Sequence, residues 1–144
     1  MKTVKQILQE KGHSIWSITP DSTVYNALKL MAEKEVGALL VVEEGSLVGI
    51  ISERDYARKV ILKGKSSLDT PVKEIMTPKV VYVRPGQTVE ECMALMTEKH
   101  IRHLPVFEGD ELIGVVSIGD LVKADIEAKV FMIKQLENYI TGAR

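Results

Sequence analysis

Two short segments set a hydroxyl and a carboxylate at the same spacing, Ser52-Glu53-Arg54-Asp55 and Ser117-Ile118-Gly119-Asp120. Each stands where an apolar run of strand length ends and a helical pattern begins. The first turn of a helix offers unpaired backbone N–H groups and the positive end of a dipole, which suits a phosphate, and the serine hydroxyl adds one more donor. An aspartate one turn along could accept both hydroxyls of a ribose. Serine for phosphate and aspartate for sugar make a coherent grip on a nucleotide. Arg54, replaced by Gly119 in the second copy, is a further phosphate contact in one copy or else an ordinary solvated arginine. The same four residues also spell a capping box, in which the serine and the acid satisfy each other's backbone N–H groups. Duplication does not decide between grip and cap, because a duplicated fold duplicates its caps.

Other chemistries find little support. Gly64-Lys65-Ser66 ends like a phosphate-binding P-loop, but Lys59 stands where the leading glycine belongs, and a helix rather than a strand is expected before it. His13, His100 and His103 form no i, i+4 pair and have no cysteine cluster, so no metal is expected. The single cysteine, Cys92, lies on an apolar helix face and reads as core. No nucleophile, base and orienting acid assemble, so the chain does not read as an enzyme. With 19 Lys+Arg against 20 Asp+Glu, interspersed, binding to nucleic acid or a membrane surface through bulk charge is disfavoured. Neither a signal peptide nor a membrane span is apparent, and the expectation is a soluble, cytoplasmic protein.

The two Ser-x-x-Asp segments belong to a repeat. Residues 19–56 and 84–121 align without a gap at a fixed offset of 65 (Pro20 to Pro85, 85 − 20). Val4-Lys5-Gln6-Ile7-Leu8 returns as Val72-Lys73-Glu74-Ile75-Met76, so each repeat is expected to open with a short helical lead-in, the second capped by Thr70-Pro71. Val24, Ala27, Leu28 and Met31 fall at i, i+3, i+4, i+7, as do Val89, Cys92, Met93 and Met96, which predicts an amphipathic helix in each. Thr23 and Thr88 stand at the N-cap, where Thr88 with Glu91 forms a capping box that Thr23 with Asn26 only approximates. Extended pieces are expected at 14–18 and 80–83, hairpins at 39–52 and 104–117, and following helices at 53–62 and 119–139. The order strand, helix, strand, strand, helix gives an α/β or α+β unit. Each unit is near the lower size limit for a self-supporting core, so the two are expected to fold as one body. The expected division is repeat 1 at 3–63, a linker at 64–70, repeat 2 at 71–124 and a helical extension at 125–144.

Pro20-x-x-Thr23-Val24, Leu30-Met31, Gly37-Ala38-Leu39-Leu40-Val41-Val42 and Leu47-Val48-Gly49-Ile50-Ile51-Ser52-x-x-Asp55, in that order, resemble the cystathionine-β-synthase (CBS) domain. Ile101-Arg102-His103-Leu104-Pro105-Val106 and Gly114-Val115-Val116-Ser117-x-x-Asp120 resemble it more closely still. Two in tandem look like a Bateman module, over about residues 3–123. The resemblance implies two repeats packed through their sheets about a pseudo-two-fold axis, with two clefts that bind AMP, ADP, ATP, NAD(H) or S-adenosylmethionine as regulatory ligands. It implies that Asp55 and Asp120 take the ribose, with Ser52 and Ser117 near the phosphate. Arg102 and His103 match positions where the family places phosphate-binding basic residues. The first repeat has Gly37 and Ala38 instead, which leave room for a base against the backbone of Gly37, Ala38 and Leu39. The two clefts are thus chemically unequal.

Val122, Ile126, Val130, Ile133, Leu136 and Ile140 make an apolar stripe that outlasts the second repeat. The resemblance implies that it joins two copies in a disc-like homodimer; the other reading folds it back on its own sheets. The function expected is a ligand sensor acting on an unidentified partner protein. The alternative is a ligand-free interaction scaffold, with a nucleotide-processing enzyme a distant third.

Overall fold

The computed structural model describes residues 2–142, which form two compact bodies: residues 15–80, and residues 2–14 together with 81–142. The architecture is mixed α/β, with a small sheet in each body. In the first body β1 (Ser17–Ile18) pairs parallel with β2 (Ala38–Glu43), which pairs antiparallel with β3 (Ser46–Ser52). Helix α2 (Val24–Lys34) precedes the hairpin and α3 (Glu53–Lys59) follows it, extended by a 3₁₀ turn at Ile61–Lys63. The other body holds α1 (Val4–Lys11), α4 (Val89–Lys99), the hairpin of β4 (His103–Glu108) and β5 (Glu111–Ser117), and α5 (Ile118–Thr141).

The helix faces predicted by the apolar spacing are the buried ones. Val24, Ala27 and Met31 enter one core, and Val89, Cys92 and Met96 the other. The Thr88–Glu91 capping box forms, whereas Thr23 caps through its hydroxyl alone. Both helices end on a residue in the left-handed region, Glu35 at φ 55° and His100 at φ 56°. Val36 and Ile101 then donate back to the carbonyls of Met31 and Met96, which closes each helix by a Schellman-type bond.

Two features depart from strict repetition. The extended piece at 80–83 yields a single parallel bridge, Val83 to Val106, where the first repeat has a strand. In the first repeat Leu40 N–H donates to Trp16 O at 3.2 Å; the matching residue is Pro105, which has no N–H to donate. The second lead-in is a 3₁₀ turn, Val72–Glu74, rather than a helix, and no side chain caps it. Thr70 is buried and turns its hydroxyl back to Ser66 O, while Pro71, at the N-cap, has no side-chain oxygen to offer. Pro78 stands too close downstream for the helix to continue.

The lead-ins settle where the repeat order alone would not place them. Helix α1 precedes the first repeat in sequence but packs on β5 and α5, with Leu8 seated over Gly114. The turn at Val72–Glu74 belongs to the body of residues 15–80, where Met76 sits over Gly49. The apolar lead-in pattern therefore completes each core, and Val4, Leu8, Val72 and Ile75 are all buried.

Candidate functional site

The hairpin brings the start of its first strand beside the start of the following helix. In the first body Ala38 lies opposite Ser52, and Gly37 O accepts the N–H of Glu53 at 3.1 Å. In the other, His103 lies opposite Ser117, and Arg102 O accepts the N–H of Ile118 at 2.8 Å. The antiparallel register thus gathers Gly37, Ala38, Ser52 and Asp55 into one cluster, and Arg102, His103, Ser117 and Asp120 into a second. Leu39 is buried, so only its backbone is available beside Ser52 and Asp55. Arg54 is half-buried in the first turn of α3, with no ion pair among the described residues.

Both Ser-x-x-Asp segments are complete capping boxes. Ser52 Oγ accepts the N–H of Asp55 at 3.2 Å, and Asp55 Oδ2 accepts the N–H of Ser52 at 2.9 Å. Ser117 and Asp120 repeat this at 3.2 and 2.8 Å. The cap aims each carboxylate back toward the strand end.

The two carboxylates differ in what else holds them. Asp55 Oδ2 also accepts the Ser52 hydroxyl at 3.1 Å, and Oδ1 meets Lys59 Nζ at 3.2 Å, one turn along the same helix. Lys59 Nζ also donates to Ile75 O at 2.9 Å. Asp120 is held from another element: Lys11 Nζ, on α1, lies 2.7 Å from Oδ2 and donates to Val115 O at 2.9 Å. Oδ1 of Asp120 receives no hydrogen bond from the described residues.

Burial pushes the Asp120 carboxyl up, yet the Lys11 ammonium and the Ser117 donors outweigh it and hold the carboxyl below its ordinary value. Burial, with Lys11 and Arg102 nearby, lowers His103 against the attraction of Asp120, which favours the neutral imidazole. Cys92, buried in the core, has its thiol pushed up to about 11 by burial and by Glu91. Among the described residues no group of three or more His, Cys, Asp or Glu side chains is placed to hold a metal. No helix among them is long and apolar enough to cross a membrane.

Lys11 and Lys59 are the site neighbours that sequence reasoning missed. The Asp55–Lys59 spacing was there to be read as an i, i+4 pair. Lys11 lies 109 positions from Asp120 and left no local signal.

The CBS domain family profile matches residues 4–62 and 72–127. The CBS domain-containing protein CBSX3, mitochondrial, of Arabidopsis thaliana is 43% identical over 150 residues, covering 97% of this chain and 72% of its own. A putative signal-transduction protein with CBS domains from Burkholderia ambifaria is 57% identical in its solved structure, with a TM-score of 0.86 over 88% of this chain and 95% of that one. The CBS domain pair of protein MJ0100, solved in complex with 5′-methylthioadenosine and S-adenosyl-L-methionine, is 25% identical, with a TM-score of 0.78 over 89% and 98%. A gap-free internal repeat, the same hairpin-to-helix junction in both bodies, and a family match over both copies agree: this chain belongs to the CBS domain family and carries two CBS domains in tandem.

Proposed function

We propose that this protein is a regulatory module that binds an adenosine-containing ligand, with Asp55 and Asp120 as the ribose acceptors. The observation that carries the reading is the repeated junction itself. In each body a capping box orients a carboxylate beside the opening residues of the hairpin, and those residues differ between copies in a way that suits different parts of a nucleotide. Arg102 and His103 offer polar and cationic contacts, with Arg102 exposed, whereas Gly37 and Ala38 offer room and backbone. Asp120, ionised and with Oδ1 open, is the better prepared acceptor. The adenosyl ligands of the MJ0100 pair support the ligand class. AMP, ADP, ATP, NAD(H) and S-adenosylmethionine are the ligands to try, and the regulated protein is a separate partner.

The complete capping boxes favour a second reading, an interaction scaffold in which both aspartates serve only their helices. A thermal-shift panel of the adenosyl ligands, with GTP as control, separates the two. A ligand at 100 times its Kd should stabilise the native state by about 2.7 kcal/mol, a rise of several degrees in Tm. The rise should vanish in Asp120→Ala or Asp55→Ala according to which acceptor is used. If instead each variant loses about 1 kcal/mol, the size of a cap, and no ligand shifts the parent, the scaffold reading stands.

The module is proposed to act as a homodimer. Nine of its exposed large apolar side chains lie on α5, among them Ile126, Val130, Ile133 and Leu136, each more than half exposed. A second copy presenting the same stripe would cover it in one isologous contact.

A further inference from the structure

We propose that Lys11 is a positioning residue for Asp120: clamped between Asp120 Oδ2 and the Val115 carbonyl, it fixes the carboxylate so that Oδ1 is left as the acceptor for a ligand hydroxyl. This rests on the adenosyl-ligand reading above. A carboxylate oxygen has about two lone-pair positions, and those of Oδ2 are taken by Lys11 at 2.7 Å and the Ser117 N–H at 2.8 Å. The ammonium in turn is fixed by two acceptors on different elements, Val115 O on β5 and Asp120 on α5. The N-terminal helix is therefore part of the second repeat's site.

The first repeat ties its carboxylate differently, through Lys59, which meets Asp55 Oδ1 at 3.2 Å and donates to Ile75 O at 2.9 Å. Ile50 O, the match of Val115 O, accepts the backbone N–H of Thr77, because the chain before Pro78 runs alongside the strand instead of continuing a helix. No lead-in cation reaches Asp55 there. Its lysine sits on its own helix, where α5 has Ala124, and contacts Oδ1, so both oxygens of Asp55 are engaged. The charged groups around Asp120 are Lys11 and Glu10 from α1, Arg102 and His103 at the start of β4, and Lys123 and Glu127 on α5. Of these, Lys11 is the one bonded to the carboxylate.

The test uses the full chain with Lys11→Met, which keeps the aliphatic stem, and Lys11→Arg, which keeps the charge. The carboxyl of Asp120 is titrated by ¹³C NMR, and AMP, ATP, NAD⁺ and S-adenosylmethionine are titrated by calorimetry. The Met variant is expected to raise the Asp120 midpoint and to weaken, tenfold or more, the ligand that Asp120→Ala abolishes; the Arg variant is expected to restore both. If the Met variant binds that ligand as the parent does, the positioning role is overturned and the binding reading survives. Equal loss in the Arg variant makes Lys11 a structural residue only and also overturns it. A parent chain that binds none of the four sinks both readings, whatever the midpoint does.

Discussion

A Cβ on Gly114 would lie 2.7 Å from Leu8 Cδ2, and one on Gly49 would lie 2.6 Å from Met76 Sδ and 3.0 Å from Thr77 O. These two glycines match across the repeat, and each is the floor on which a lead-in side chain rests. Their role is close approach, since neither has a positive φ. Gly114→Ala is expected to cost about 1–3 kcal/mol by overpacking, and Leu8→Ala about 2–5 kcal/mol by leaving a cavity. The double variant should cost clearly less than the two together, because the new methyl enters the space that Leu8 vacates. Urea unfolding of the four proteins measures the cycle, and strict additivity would show that Leu8 is not what Gly114 accommodates.

At the scale of the element, helices α2 and α4 are matched in length, face and C-terminal closure but differ in how they begin. Thr88 closes a reciprocal box with Glu91, which adds Glu91 Oε1 on the Thr88 N–H at 3.0 Å, while Asn26 makes no such return bond to Thr23. Two acids in the first turn of α4, Glu90 and Glu91, also complement its dipole, and α2 has none. Thr88→Ala should therefore destabilise by about 1 kcal/mol or somewhat more, and Thr23→Ala by less. Thermal unfolding of the two variants checks the order. The same comparison explains the two lead-ins: Thr3 and Gln6 box the start of α1, whereas Pro71 cannot cap and Pro78 cuts the second one to a single turn.

At the scale of the whole molecule, most of the exposed large apolar side chains among the described residues lie on α5. Phe131, Met132 and Tyr139 join the predicted stripe, all more than half exposed, so the apolar surface is broader than one helix face. Folding the stripe back on its own sheets is not what the structure shows, since only Leu121 and Ala124 of α5 are buried. The proposed homodimer predicts that Ile126→Glu with Ile133→Glu yields a monomer by analytical ultracentrifugation, with the near-UV signature of each body retained. A parent chain that is already monomeric at tens of micromolar would rule out this use of the stripe.

The repeat, the apolar faces of α2 and α4, their threonine caps, the hairpins and the two Ser-x-x-Asp junctions were all legible in the residues alone, whereas the expected Thr70-Pro71 cap did not form. Each of these depends on spacings within a few residues or on the fixed offset between the copies. Proline chemistry was visible too, yet its consequences at Pro105 and Pro78 needed the partner strand, because a missing N–H matters only where a neighbouring carbonyl awaits it. Which core each lead-in completes was decided by tertiary structure, since Val4-x-x-Ile7-Leu8 and Val72-x-x-Ile75-Met76 carry the same pattern and would suit either glycine floor. The same holds for Lys11 and Asp120. Their 2.7 Å contact depends on α1 docking beside α5, and no spacing rule connects residues that far apart along the chain.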